Sequence, residues 1–596
     1  MIIFDDVMKE TNYGKNIASF DKNGVNVHKL TIFKDICIRN MNNLEGIALE
    51  INGNQMTYRD FFMEVEKYMK SFQSLGVKEG TIVSLCLPVS VEFICSYFAL
   101  STMGAICNCL NIGFLMKDDV KSYTDDRLSD IFVCHDLYYS LLKQKNSFQG
   151  SKLGKLILTS DSTYAHYKGD NNKILVPDNG IKGTEVLTLD DFFMNDGNIN
   201  CASFDENRAS TFTYTSGTTG KSKCMAHSDL APLFMIASHE LIDRPNEKVG
   251  DRTLVTIPFA HPTGLFYSMV LQLAEGKTLV LEPRYDKSLF HSDIRDLKIN
   301  HAVQAKPFYA QLIQDRANGL IKPGDFKLFK SPYSGGEGIP LSVCRDINNT
   351  LKFAGCKEKI TVGYGRSEEG SICLGAYNIS GRENTVGLSV PGVFARIVDP
   401  VTKEFISPKV GARGEIQLSS PVMPLGNHYL GVNNSIGQPD GSVVDNDGLR
   451  WSCPGDIATV IDCDGELSYL VLGRCSDSVI KDDKIIYLFD IKEKISNLEE
   501  IQECEVISLG EDDIDVTVHV VVKDKYKENI EALTQKIMSV CEYIDGVKFY
   551  DAFGINATSG KCDREAMKKD KNGYVVYKNG EFVRLKLNGK SKVIKL

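Results

Sequence analysis

Apolar Phe61, Phe62, Val65, Tyr68, Met69, Phe72 and Leu75 recur three and four residues apart, the spacing of one buried helix face. Thr57 with Asp60 makes a capping-box-like start and Gly76 a stop, so the pattern predicts a helix over 58–75. The run Thr81-Ile82-Val83-Ser84-Leu85-Cys86-Leu87 reads as a strand halted by Pro88. Phe93 to Leu110 is apolar enough to suggest a membrane span. Ser96, Ser101, Thr102 and Asn108 dilute it and Gly104 interrupts it, so a buried helix running into a strand is predicted instead. Further strands are expected near 155–159, 253–257 and 278–281, with helical stretches between them. This alternation implies an α/β fold, a mostly parallel sheet covered by helices on both faces.

From about Val386 the texture shifts to short strands (395–398, 414–418) with Gly and Pro turns, a small β subdomain. Beyond Gly473 it shifts again, to a β-branched strand over 516–522 and an amphipathic helix over 528–543. The chain therefore divides into a large N-terminal domain, 1–473, and a small α+β C-terminal domain, 474–596. Asn-Gly pairs at 572–573, 579–580 and 588–589 separate short strand-like runs, which predicts a β-meander tail from about 568.

The 596 residues suffice for several packed units, and 43% hydrophobic with 24% charged residues excludes global disorder. A net charge of −10 gives no overall attraction for nucleic acid or an anionic membrane. The tail departs from this balance: nine Lys/Arg face Asp570 and Glu581 between Lys568 and Lys595. Such lysines protect a sheet edge from aggregation or form a strip for an acidic partner such as a carrier protein. Seventeen cysteines are scattered without any C-x-x-C, and Met1 to Asp6 lacks the basic start of a signal peptide. A reduced, cytoplasmic chain without a membrane span is expected.

The chemistry concentrates in Tyr214-Thr215-Ser216-Gly217-Thr218-Thr219-Gly220-Lys221-Ser222-Lys223. Small hydroxyl residues and glycines let the backbone approach a ligand while N–H and O–H donors converge on phosphate oxygens. A P-loop template fits Gly220-Lys221-Ser222 but demands glycine where Thr215 stands. The second residue of a zinc-protease His pair falls on Asp243, and Gly363-Tyr364-Gly365 lacks the third glycine of a dinucleotide fingerprint.

The loop resembles the phosphate-binding signature of the adenylate-forming superfamily, most like acyl- and aryl-CoA synthetases, and further motifs of that family follow in order. They are Gly335-Gly336-Glu337, Gly363-Tyr364-Gly365-Arg366-Ser367-Glu368, Gly414-Glu415, Trp451-Ser452-Cys453-Pro454-Gly455-Asp456, Gly473-Arg474, and Gly560-Lys561-Cys562-Asp563-Arg564. Ser367 and Pro454 stand where threonine is usual.

The resemblance implies roles. Thr215, Ser216, Gly217, Thr218, Thr219 and Gly220, with Lys223, would hold the β- and γ-phosphates of ATP. Gly335, Gly336 and Glu337 would lie against the adenine, with Tyr364 stacked on it in the motif that includes Gly365 and Ser367. Asp456 would accept the ribose hydroxyls, Arg474 would contact ribose or phosphate, and Glu368 would coordinate Mg²⁺. Lys561, on a mobile C-terminal domain, would bridge carboxylate and α-phosphate.

Pro258 to Gly264 resembles the motif near the acyl site, so His261 and Gly264 are substrate candidates; His261 is equally compatible with a core histidine. Ala260 occupies the position where amino-acid-activating relatives carry an aspartate, and a buried ammonium without a counter-charge is costly. The expected substrate is a small-molecule carboxylic acid without an α-amino group, with aryl, short-chain and fatty acids all open. The acceptor is CoA or, alternatively, a carrier-protein phosphopantetheine or an amine; a non-catalytic nucleotide-binding relative is the competing class. Lys481-Asp482-Asp483-Lys484 carries aspartates where the family's pantetheine-lining loop favours glycine.

Overall fold

The computed structural model describes residues 1–160, 181–193, 199–215, 222–283, 286–370, 372–377, 384–426, 428–482, 484–510, 515–554, 562–570, 574–578, 581–585 and 594–595. Among them, two nine-stranded sheets dominate. In the first, Ala209–Thr215, Ile106–Cys109, Ile82–Cys86, Ile131–His135, Lys155–Thr159 and Glu185–Thr188 run parallel in that order. Lys223–Ser228, His428–Leu430 and Ile436–Pro439 extend it antiparallel beyond Ala209–Thr215. In the second, Thr361–Tyr364, Ser331–Ser334, His301–Gln304, Arg252–Val255, Thr278–Leu281 and Ile47–Ile51 are the parallel strands. Ile82–Cys86 and Ile131–His135 are buried along their whole length, as befits strands covered on both faces.

The helix expected over 58–75 spans Tyr58–Ser74; Thr57 Oγ1 accepts the Asp60 backbone N–H at 3.1 Å, and Gly76 follows with φ +84°. The span-like segment becomes helix Val91–Thr102 and strand Ile106–Cys109, turned at Gly104 with φ +72°. Its polar residues are satisfied in the interior: Asn108 Nδ2 donates to Ser84 Oγ and to the Tyr123 carbonyl, each at 2.8 Å. No helix among the described residues is long and apolar enough to cross a membrane. One apolar core runs through these helices and both sheets. At its centre Phe33 meets Phe61 and Phe62 edge-on, with centroids 6.1 and 5.5 Å apart.

The β subdomain is a five-stranded sheet that includes Phe394–Val398, Arg413–Ser419, Asp456–Cys463 and Glu466–Arg474. After Arg474 a separate core forms around Val479, Ile491, Val518 and Ile537. Its sheet runs Ile501–Leu509, Asp515–Val522, Ile544–Tyr550, Tyr574–Lys578, Glu581–Leu585, Ile594–Lys595, the last three joining antiparallel. The helix expected over 528–543 is shorter, Ile530–Met538: Asn529 caps its start, and past Ser539 the chain turns into the strand at Ile544. The three Asn-Gly pairs lie outside the described residues.

The C-terminal unit touches the β subdomain through Arg413, whose guanidinium donates to both Asp490 oxygens (2.9 and 2.8 Å) and lies 4.0 Å from the Tyr487 ring centroid. Gly473 is required here, since a Cβ would fall 2.3 Å from the Phe489 ring.

Candidate active site

Strands 209–215, 331–334 and 361–364 end on loops that hold most of the candidate residues, the edge where ligands bind in open parallel sheets. Thr215 and Lys223 are partners across the antiparallel pair that flanks the phosphate-type loop. Ser216, Gly217, Thr218, Thr219 and Gly220 lie outside the described residues, as do Lys561 and Asp483.

Ser331–Ser334 and Thr361–Tyr364 are adjacent, so Gly335-Gly336-Glu337 and Gly365 to Glu368 leave the sheet side by side. Gly363 has no alternative: a Cβ there would sit 1.8 Å from the Tyr333 hydroxyl. A Cβ on Gly335 would lie 3.3 Å from the Gly363 carbonyl, and Gly336 adopts φ +84°. Glu337 pairs with Lys306 at 3.3 Å.

The Tyr364 hydroxyl donates to Asp456 Oδ2 at 2.6 Å, and Arg474 Nε lies 3.1 Å from Asp456 Oδ1. Asp456 and Arg474 are register partners of one hairpin, which places the carboxylate and the guanidinium together. Burial raises the Asp456 carboxyl above its ordinary range, and Arg474 opposes that rise. Burial, with Asp456 beside it, pushes the Tyr364 phenol up, so the hydroxyl stays a donor.

Ser367 begins a single helical turn, Ser367–Glu369, ended by Gly370 at φ +78°. Within it, Glu369 is buried and takes Arg366 Nη2 at 3.0 Å and Nε at 3.3 Å, while Ser452 Oγ donates to it from the Trp451–Asp456 segment. The turn is thereby pinned, and Glu368 next to it points elsewhere. Its Oε1 accepts the Tyr429 hydroxyl at 3.0 Å and its Oε2 lies 3.8 Å from Arg366 Nε. Lys223 Nζ stands 4.8 Å over the Tyr429 ring. Two linked sets result, Lys223–Tyr429–Glu368–Arg366 and Tyr364–Asp456–Arg474, joined through the Tyr364–Glu368 segment.

His261 and Gly264 belong to neither set. They follow strand Arg252–Val255, which is separated from Ser331–Ser334 by His301–Gln304. His261 is exposed yet recessed enough that desolvation lowers its imidazole pKa, and its Nδ1 accepts the Thr263 backbone N–H at 3.2 Å. Gly264 is the second residue of the π-helix Thr263–Leu271, where a Cβ would lie 2.5 Å from the Pro258 carbonyl; its glycine answers to backbone packing.

Tyr429, Arg366, Glu369 and Ser452 were not foreseen as a unit. Tyr429 sits in a stretch without a recognisable motif, whereas Arg366 and Ser452 lie inside the Gly363–Glu368 and Trp451–Asp456 motifs and Glu369 directly follows the first, a spacing that lets Arg366 and Glu369 pair.

No group of three or more His, Cys, Asp or Glu side chains among the described residues could cage a metal. A cation held at Glu368 would lack a cage of three such side chains among the described residues and would draw most of its ligands from phosphate and water, the manner in which Mg²⁺ is commonly held.

The family described as AMP-binding enzyme matches residues 40–426. The chain is 27% identical over 412 residues to 4-coumarate–CoA ligase-like 6 of Arabidopsis thaliana, an alignment spanning 66% of this chain and 64% of that protein, less than two thirds of its length. It is 24% identical over 495 residues to the acyl-CoA ligase sidI of Aspergillus fumigatus, covering 78% and 76% of the two chains. Among solved structures, ATP-bound MatB from Rhodopseudomonas palustris aligns with TM-score 0.71 at 19% identity, over 90% of this chain and 98% of that one. An anthranilate CoA ligase in complex with anthranoyl-AMP aligns with TM-score 0.69 at 18% identity, over 91% and 96%. At these identities the structural likenesses speak for the fold.

Proposed function

Because the chain belongs to the AMP-binding enzyme family, we propose that it activates a carboxylic acid with ATP and passes the acyl group to the thiol of CoA. In the first step a carboxylate oxygen attacks the α-phosphorus and pyrophosphate leaves. In the second the CoA thiolate attacks the acyl carbon and AMP leaves, the thiol proton going to solvent or base. ATP supplies the electrophilic phosphorus and the leaving group; the chain supplies alignment and charge neutralisation.

The observation that carries this reading is the convergence of Lys223, Glu368, Tyr364, Asp456 and Arg474 from three sheets through two contact sets, Lys223–Tyr429–Glu368 and Tyr364–Asp456–Arg474, joined by the Tyr364–Glu368 segment. Asp456 offers a buried carboxylate acceptor suited to ribose hydroxyls, already oriented by Tyr364 and Arg474. Glu368 offers a hard oxygen donor to Mg²⁺, and Lys223 a cation at the end of the phosphate loop. Lys561 is assigned to stabilise charge on the transferring phosphoryl group. Ala260 leaves no counter-charge for an α-ammonium, and the relatives named for 4-coumarate and acyl groups support an aryl or acyl acid.

The test is acid-dependent ATP–pyrophosphate exchange over a panel of carboxylic acids, with CoA consumption followed in parallel. Exchange with at least one acid is expected, and Lys561→Ala should slow it by ~10²–10³-fold while ATP affinity is kept. ATP binding without exchange for any acid would mark a non-catalytic nucleotide-binding protein, and exchange without CoA consumption would move the acceptor to another thiol or amine.

A further inference from the structure

We propose that Tyr429 is a positioning residue for the metal carboxylate: its hydroxyl fixes Glu368 while its ring holds Lys223 away from that same carboxylate. The inference rests on the assignment of Glu368 as the Mg²⁺ ligand.

Tyr429 lies on His428–Leu430, a short strand following the β-subdomain strand Arg413–Ser419 and laid against the edge of the first large sheet. Its partner there is Lys223–Ser228, with Leu430 opposite Cys224. That pairing puts Tyr429 on the face that carries Lys223, within reach of a long side chain. The hydroxyl then meets Glu368 on the loop after Thr361–Tyr364, a strand of the other sheet. One side chain thus spans the phosphate-loop strand and the carboxylate turn.

Mg²⁺ demands near-ideal geometry, and a side chain hydrogen-bonded to a metal ligand fixes the lone pairs it offers. Glu368 Oε1 is held by Tyr429, while Oε2 is 3.8 Å from Arg366 Nε, whose strong partner is Glu369. The orienting bond therefore comes from the tyrosine. Lys223 poses a second problem, since a free ammonium near a carboxylate closes an ion pair with it and competes with the metal. Stacked at 4.8 Å over the ring, it has another attractive resting place.

The test uses the full-length protein without acid or CoA, and reads ATP binding by calorimetry across a Mg²⁺ titration. Glu368→Gln is the control for the underlying assignment and should raise the Mg²⁺ needed for half-maximal binding. Tyr429→Phe keeps the ring and loses the hydroxyl; it should raise that concentration about 10-fold, with near wild-type ATP affinity at saturating Mg²⁺. Tyr429→Leu also frees Lys223 and should be worse than Tyr429→Phe. Tyr429→Leu serves if Tyr429→Phe does not fold. A shift in Glu368→Gln with wild-type metal dependence in Tyr429→Phe, or in Tyr429→Leu in its place, overturns the role of Tyr429. An unshifted Glu368→Gln overturns the metal assignment and this inference with it.

Discussion

Removing the Arg366 guanidinium should destabilise the protein more than removing both members of its ion pair. The Glu369 side chain is fully shielded from solvent, and Arg366 supplies two of its hydrogen bonds, at 3.0 and 3.3 Å. In Arg366→Met a carboxylate remains buried with the Ser452 hydroxyl as its side-chain partner among the described residues, and stranding a buried charge costs about 3–5 kcal/mol. Adding Glu369→Gln removes that charge but keeps an acceptor for Ser452, so the double variant should recover about 2 kcal/mol of the loss. The deficit has a pH signature. Burial of an unpaired carboxylate favours its protonated form in the folded state, so the folded protein binds more protons than the unfolded chain. Stability of Arg366→Met should then fall as pH rises above the ordinary carboxylate range, by at most about 1.4 kcal/mol per pH unit, while the double variant shows no such added slope. Trp451, the only tryptophan and a neighbour of Ser452, reports the local transition in urea by its fluorescence. If Glu369→Gln worsens Arg366→Met, or the two changes add independently of pH, the buried pair does not hold this turn.

Two further expectations concern pH and domain contact. Burial drives His227 and His239 down to about 4 and His519 to about 3, so each stabilises the fold above the ordinary histidine range and loses that contribution as pH falls from 6.5 toward 4. Asp229, pushed up to about 6, works in the opposite sense, and the net loss from pH 7 to 4.5 is on the order of 5 kcal/mol; a melting temperature flat between pH 7 and 5 would contradict this. Arg413→Ala breaks the fork on Asp490 and the stack on Tyr487, both partly exposed, so it should cost only about 1–2 kcal/mol yet increase proteolytic nicking after Arg474 roughly fivefold. Unchanged cleavage would mean that other contacts hold the two units together.

The sequence was most legible where a single physical constraint decides the residue. Period-3.6 apolar spacing ended by a glycine marked Tyr58–Ser74 to within one residue, because one helix face must be buried and Gly76 takes the left-handed turn. Strands 155–159 and 278–281 were found as short apolar runs, since burial on both faces leaves no room for alternation. The 528–543 pattern overshot because Val540 and Cys541 pack against the same core without being helical. Apolar spacing registers burial; it does not register the turn that ends a helix before the next strand.

The site divides along the same line. Gly335, Gly363 and Asp456 stand in short motifs that carry the family resemblance, although what restricts them in the fold comes from neighbouring strands: Tyr333 beside Gly363, the Gly363 carbonyl beside Gly335, and Arg474 opposite Asp456. Tyr429 could not be read from any motif, since its function depends on Leu430 lying opposite Cys224, about two hundred residues earlier in the chain, and on a carboxylate from the other sheet. Its neighbours Leu425 to Gly431 show only loop composition. Contacts made across sheets by a single side chain leave no period and no spacing. The residues that link separate motifs into one site are therefore the ones a sequence conceals, while the motifs themselves, each closed within a few residues, stand in plain view.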